Sequence, residues 1–176
     1  TGEVILEVEE GTQANSIPTN APETTVCDTI GDNDGIYTFD LSGTLSPILL
    51  GTNNPVGTIV YYYENLADAQ QATIDNDYSG AIASPEAYNN TTAQQQTIYA
   101  VLVNPATSSS CPTIVPIPLT IHLLPEPTPQ GGTICLDPDT GDLLNDFTIN
   151  SNLNPTTHTF VWTDAAGVEV GTTASI

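Results

Sequence analysis

The chain has 176 residues, with 21 Asp and Glu, no Lys or Arg, and a formal net charge of −21 at pH 7. Without basic side chains it cannot neutralise a phosphate backbone, which excludes nucleic acid as a partner, and docking on anionic lipid heads is disfavoured. No stretch is apolar enough for a membrane-spanning helix, and hydrophobic residues at 39% favour a packed β-rich chain over a disordered acidic tail.

The first ten residues, TGEVILEVEE, place Val4, Leu6 and Val8 on one side of an alternating pattern. This pattern predicts a strand, which we interpret as the last strand of a preceding module in residues 1–10. The stretch lacks a basic n-region, so it is not a signal peptide. Residues 11–19 are polar with one proline, and they predict a linker.

The middle of the chain, residues 20–124, predicts one complete module. Period-two alternation and β-branched or aromatic residues predict its strands, at 36–41, 57–64, 97–104 and 111–124. A short helix is predicted at 65–72, with Asn65 as its N-cap. Pro116 and Pro118 cannot donate ladder hydrogen bonds, so the last strand should lie at a sheet edge or break there.

A second linker, polar and Pro-rich, is predicted at 125–132, and residues 133–176 then repeat the opening of the module. Ile134-Cys135 echoes Val26-Cys27, and the strand and turn at 158–171 echo those that begin at Gly57. The period of about a hundred residues is the size of an immunoglobulin-like sandwich. The sequence therefore predicts an all-β fold of tandem immunoglobulin-like β-sandwich modules joined by Pro-rich linkers, with 133–176 as the N-terminal part of a following module.

The three cysteines, Cys27, Cys111 and Cys135, support this frame. Cys27 opens the complete module and Cys111 starts its last strand, which predicts a disulfide between them across 111 − 27 = 84 residues. In the chain-entropy model such a bridge stabilises a fold by roughly 4–5 kcal/mol. Cys135 takes the opening position of the next module, and we expect its partner beyond residue 176. Disulfides persist outside the cell, so an extracellular protein is predicted.

These motifs together resemble a known repeat. Cys-Asp, Asp-Asn-Asp-Gly and Thr-Phe-Asp-Leu within 27–41, then Tyr-Tyr-Tyr-Glu, Leu-Ala-Asp-Ala, Thr-Ile-Tyr-Ala-Val and a late cysteine are similar to the repeat of very large cell-surface adhesins of gliding Bacteroidota. The resemblance covers roughly residues 20–124. It implies a segment of a long surface filament, exported by the type IX secretion system and acting in surface attachment and gliding motility. Such adhesins normally contain some Lys, and this chain has none.

The acidic loop that follows Cys27 has two interpretations. Clustered oxygen ligands suit calcium, the one cofactor that the sequence suggests, through Asp28, Asp32, Asp34 and Asp40. The EF-hand template fails, because Ile30 and Leu41 would occupy its first and last ligand positions. The alternative is a solvated turn, in which Asp, Asn and Gly are favoured for their tolerance of left-handed backbone.

No catalytic constellation is apparent, and we expect no enzyme. A nucleophile–base pair needs a base near Ser or Cys, but the two histidines, His122 and His158, lie in predicted strands of different modules. Without Lys, neither Schiff-base chemistry nor a Lys–Asn isopeptide bond is available.

The alternative function is that of a carbohydrate-binding module of a secreted protein. Candidate aromatic platforms are Tyr61, Tyr62, Tyr63, Tyr78, Tyr88, Tyr99 and Trp162. Asp28-Thr29-Ile30 also resembles the short acceptor triplet of Bacteroidota O-glycosylation, which implies a sugar on Thr29. The expected partners are neighbouring modules of the same chain and an extracellular surface or polysaccharide.

Overall fold

The computed structural model describes residues 11–29, 33–106 and 111–176. The chain divides into two units, residues 1–124 (unit 1) and residues 125–176 (unit 2). This division falls where the sequence predicts the end of the complete module. The strand predicted within residues 1–10 lies outside the described residues.

A four-stranded sheet forms the centre of unit 1, built from β1 (Thr25–Cys27), β3 (Ile59–Tyr63), β5 (Gln95–Val103) and β6 (Thr113–His122). Its strand order is β1-β6-β5-β3. The strands β5 and β6 form a long antiparallel pair, and β3 joins β5 antiparallel on the other side. By contrast, β1 pairs with β6 in parallel. The earliest described strand therefore lies beside the last strand of the unit.

The strand β6 runs unbroken through Pro116 and Pro118, which face Tyr99 and Thr97 of β5. Its other side is paired with β1 only from residue 120 to residue 122. No described strand pairs with that side of β6 at the two prolines. The N–H groups that proline lacks are therefore not needed for hydrogen bonds between described strands. The predicted edge position is therefore correct for this part of β6.

One face of the sheet is covered by a smaller layer. It contains β2 (Thr38–Phe39), paired antiparallel with β4 (Tyr88–Asn89), and a π-helical turn, Leu41–Leu45, that leads into α1 (Ser46–Leu50). The apolar side chains of this layer pack on the inward residues of β5 and β6 to form the main core. Its buried members are Phe39, Leu41, Leu45, Leu49, Tyr62, Tyr88, Ile98, Ala100, Leu102, Ile117, Leu119 and Ile121.

The helix α2 (Leu66–Asp75) packs through Ala69 and Ala72 in a second, smaller apolar cluster, with Tyr63 and Val101 of the sheet. The predicted N-cap is confirmed, because the Asn65 side-chain oxygen accepts a hydrogen bond from the Asp68 N–H at 2.9 Å. Among the described residues no helix is long and apolar enough to span a bilayer.

Unit 1 is thus β-rich with few helices, as predicted. The described strands do not, however, form the two broad antiparallel sheets expected of an immunoglobulin-like sandwich. The layer opposite the main sheet is a two-stranded pair completed by helical turns, and β1 joins the main sheet in parallel.

Residues 11–19, predicted as a linker, instead pack against unit 1. Thr12 is only 7% exposed, and its hydroxyl donates to the Leu102 carbonyl at 2.9 Å. The Asn15 N–H donates to the Leu49 carbonyl at 2.9 Å. The polar composition of residues 11–19 predicted a segment exposed to solvent. The Thr12 hydroxyl and the Asn15 N–H instead form their hydrogen bonds with carbonyl groups of unit 1.

Unit 2 contains β7 (Trp162–Thr163) and β8 (Glu169–Gly171), an antiparallel pair with a bulge. The predicted turn between them is confirmed, with the Gly167 N–H donating to the Asp164 carbonyl at 3.0 Å. The predicted linker at 125–132 makes contacts in this unit, since the Thr128 N–H donates to the Ser151 carbonyl at 3.2 Å.

Candidate functional site at the cysteine-bearing ends of unit 1

Cys27 is the last residue of β1, and it is exposed. Its partner in the parallel pairing is His122, the last residue of β6. A backbone hydrogen bond joins β1 to β6 at each end of β1. The Thr120 N–H donates to the Thr24 carbonyl just before β1, and the Asp28 N–H donates to the His122 carbonyl just after it, each at 2.8 Å. The thiol therefore lies at the end of β6 from which the chain continues towards unit 2.

Cys111 is also exposed, and it lies two residues before β6 begins. Its carbonyl accepts a hydrogen bond from the Thr12 N–H at 3.2 Å. A Cβ added at Gly11 would lie 3.2 Å from the Cβ of Cys111. Cys111 is therefore held beside the first described residues of unit 1.

The two cysteines lie at opposite ends of β6. Because Cys27 is level with His122, the offset along the strand is 122 − 111 = 11 residues. At about 3.3 Å per residue, the separation is on the order of 30 Å. A disulfide needs Cα atoms within about 7 Å of each other. The structure therefore does not bring Cys27 and Cys111 together as the predicted disulfide requires, because the parallel pairing places the end of β1 beside the end of β6 and not beside its start.

Asp28, next to Cys27, is a buried carboxylate at 1% exposure. Its Oδ2 accepts a hydrogen bond from the Gly35 N–H at 2.8 Å, whereas its Oδ1 is buried without a polar partner. Gly35 has φ of +80°, and a Cβ there would lie 2.8 Å from the Gln94 nitrogen, so only glycine fits. Asp28 thereby holds the acidic loop against the start of β5.

The other predicted calcium ligands have separate local roles. The Oδ1 of Asp34 accepts from the Ile36 N–H at 2.7 Å, and the Oδ1 of Asp40 accepts from the Gly43 N–H at 2.6 Å. Within the described ranges, no three His, Cys, Asp or Glu side chains come together as a metal site. Asp32 lies outside those ranges. The described carboxylates of the predicted calcium set thus do not come together around a common point. Asp34 instead stabilises a local turn, as the solvated-turn interpretation of the acidic loop expects.

The predicted aromatic platforms are largely occupied by packing. Tyr62 and Tyr88 belong to the main core, and the rings of Tyr61 and Tyr78 stack on each other at 4.8 Å between centroids. The Tyr62 hydroxyl donates to the Leu41 carbonyl at 2.7 Å, and burial raises the pKa of Tyr62 to about 12. Thr29 is exposed, and its glycosylation stays a prediction.

Residues 23–125 match a family described as the Flavobacterium inter-domain disulphide bond domain. The chain belongs to this family. No curated protein and no solved structure matches the chain.

The match to the inter-domain disulphide bond domain runs from just before β1 to just after β6. It includes both Cys27 and Cys111 but not Cys135, and it ends at Pro125, one residue beyond unit 1. The family agrees with the Bacteroidota resemblance of the motifs, and it indicates an extracellular protein. The finer predictions of adhesion and gliding motility are not tested by it.

Proposed function

We propose that unit 1 is a spacer module of a multidomain extracellular protein, joined by disulfides to the domains on its two sides. The observation that carries this proposal is the position of Cys27 and Cys111, exposed at opposite ends of one strand. Two thiols about 30 Å apart cannot bridge each other, but each can meet a cysteine of a different neighbouring domain. The name of the family describes a bond of this kind.

The fold suits such a role, because β6 connects the two ends directly. It is paired with β5 from residue 113 to residue 120, and its far end is hydrogen-bonded to β1. A pull between the two cysteines acts along β6 and shears many ladder hydrogen bonds at once. Cys27 and Cys111 therefore lie at the two ends of a strand that is hydrogen-bonded within a sheet. A force applied between them acts mainly on this strand and little on the loops of unit 1.

In this proposal the protein is a long cell-surface filament of tandem modules, of the kind that the sequence motifs resemble, acting in surface attachment and gliding motility. The partners of unit 1 are then neighbouring modules of the same chain. A net charge of −21 keeps adjacent filaments apart. The absence of Lys and Arg removes every trypsin-type cleavage site from these 176 residues.

The test is disulfide mapping of the full-length protein from its native host, with thiols blocked at lysis. Digestion uses a Glu-specific protease and pepsin, because trypsin has no cleavage site in this segment. We expect Cys27 and Cys111 in separate cross-linked peptides, each joined to a cysteine of another domain. A Cys27→Ser variant should abolish one of the two cross-links and keep the other. A peptide that joins Cys27 to Cys111, or recovery of both as blocked thiols, would reject the proposal.

A further inference from the structure

Unit 1 has a groove beside the part of β6 that no described strand covers. One wall of the groove is β6 around Pro116 and Pro118, and the other wall is the segment of residues 15–20. The groove encloses about 330 Å³. This volume lies at the small end of the range of about 300–1,000 Å³ that is typical of pockets for small molecules.

The groove exists because the start of unit 1 meets β6 at two separate places. The Thr12 N–H donates to the Cys111 carbonyl at 3.2 Å, and the Thr24 carbonyl accepts from the Thr120 N–H at 2.8 Å. Between these contacts the chain leaves β6 and packs Ile17 against the main core. The gap that this detour leaves beside β6 is therefore a fixed part of the fold.

The backbone of β6 offers this gap only hydrogen-bond acceptors. The Thr120 N–H points away from β5, and the backbone groups two and four residues earlier point the same way, because their direction alternates along a strand. The carbonyls of Pro118 and Pro116 therefore face the open side of β6, about 7 Å apart. Neither residue has an N–H, and no described group donates to either carbonyl.

The side chains around the groove are neutral. No ionisable side chain lines it, although the chain carries 21 Asp and Glu. Thr25 and Thr120 are partners in the parallel pairing of β1 and β6, so their side chains project from the same face of the sheet. Their hydroxyls have no hydrogen-bond partner among the described residues. The exposed rings of Pro116 and Pro118 add apolar surface beside these hydroxyls.

These features together select a ligand class. The carbonyls of Pro116 and Pro118 call for a ligand with several donors, and the neutral walls call for one without charge. An extended peptide fits less well, because its own carbonyls would find no N–H on β6 at the prolines. We propose that the groove binds a neutral oligosaccharide, whose hydroxyls donate to the two carbonyls and whose C–H faces lie on the proline rings.

The site differs from the aromatic platforms that the sequence predicted, because no aromatic side chain lines the described groove. Its two walls are about a hundred positions apart in the chain, so no local motif identifies it. The proposal gives the spacer module a ligand of its own, and it does not depend on the disulfides.

The test is a titration of the 176-residue chain, labelled with nitrogen-15, in which amide chemical shifts report binding. The probes are neutral hexasaccharides of glucose, mannose, galactose and xylose. We expect at least one of them to shift the amides of residues 15–20, 24–25 and 115–120 in a saturable way. Because the ligand is uncharged, its affinity should change less than about twofold between about 50 mM and about 500 mM NaCl.

The double variant Thr25→Val, Thr120→Val keeps the shape of both side chains and removes their hydroxyls. It should weaken binding at least about tenfold, because two hydrogen bonds to the ligand are lost. The matched control is Thr163→Val, which removes the hydroxyl of an exposed strand residue outside unit 1 and should leave the affinity unchanged. Unchanged amide shifts in β5 verify that the double variant is folded.

The proposal is overturned when none of the neutral hexasaccharides gives a saturable shift, or when the double variant binds as tightly as the parent chain. A second probe is an extended peptide of alternating Thr and Val. If this peptide shifts the same amides and the sugars do not, the groove belongs to a peptide partner instead. Disulfide mapping measures a different property of unit 1, so the two proposals fail separately.

Discussion

Cys27 lies level with His122 in the parallel pairing of β1 and β6, and this relationship determines what the cysteines of unit 1 can do. An antiparallel β1 would have run towards the start of β6, where Cys111 lies beside Thr12. The parallel pairing directs Cys27 to the other end of the strand. Each end of unit 1 thereby carries one exposed cysteine.

The first prediction is that the stability of unit 1 does not depend on Cys27. In the 176-residue chain, Cys27→Ser should change the free energy of unfolding of unit 1 by no more than about 0.5 kcal/mol, in the range of ordinary surface substitutions. Urea unfolding followed by amide exchange in β5 measures this, with and without reductant. A loss of about 4–5 kcal/mol on reduction would indicate the 84-residue internal bridge instead.

The second prediction concerns Asp28, whose carboxylate accepts the Gly35 N–H inside unit 1. Asp28→Ala leaves that buried donor without a partner, which should cost about 1–3 kcal/mol. Asp28→Asn retains an acceptor and should cost less. The control is Asp77→Ala, since Asp77 accepts the Ser79 N–H in a similar way but is exposed. Equal costs for the Asp28 and Asp77 alanine variants in urea unfolding would contradict the buried role of Asp28.

The third prediction is that residues 11–19 stabilise unit 1. Thr12→Ala removes the buried hydroxyl that donates to the Leu102 carbonyl, with an expected loss of about 1–2 kcal/mol. Thr19→Ala is the matched control, because Thr19 is exposed and should be within about 0.5 kcal/mol of the parent chain. Thermal unfolding of the two variants distinguishes a packed segment from a linker, for which both substitutions would be neutral.

The fourth prediction follows from Tyr62, whose pKa is raised by burial from 10.0 to about 12. The folded state holds this proton more tightly than the unfolded chain does. The corresponding stability, on the order of 2 kcal/mol, is present below pH 10 and is lost as the pH rises from about 10 to about 12. Tyr62→Phe should lower stability near neutral pH, since the hydrogen bond to the Leu41 carbonyl disappears, and should reduce the alkaline loss.

Urea unfolding between pH 8 and pH 12, combined with the absorbance of tyrosinate, measures the alkaline loss. The control is Tyr37→Phe, because Tyr37 is only partly buried and lies at the edge of the main core. A Tyr62→Phe variant that loses as much stability at high pH as the parent chain would place the titrating group elsewhere.

The sequence by itself determined the local elements of this protein. Runs of β-branched and aromatic residues identified β3 and β5, and Asn65 marked the start of α2, because these features depend on neighbours a few residues away. The same local patterns set the end of unit 1 after Leu124 and the turn between β7 and β8. The composition alone predicted that nucleic acid is not a partner, since the chain has no Lys or Arg to neutralise phosphates.

Only the tertiary structure decided which strands are neighbours. The pairing of β1 with β6 joins residues about 95 positions apart, as Thr25 with Thr120, and three residues of β1 carry no signal of that choice. A separation of 90 positions in sequence likewise hid the burial of Thr12 against Leu102. Both contacts are selected by the packing of the whole unit, in which buried polar groups must find partners. For this reason the spacing of Cys27 and Cys111 predicted a clamp within the module, whereas the folded chain places the two thiols at opposite ends.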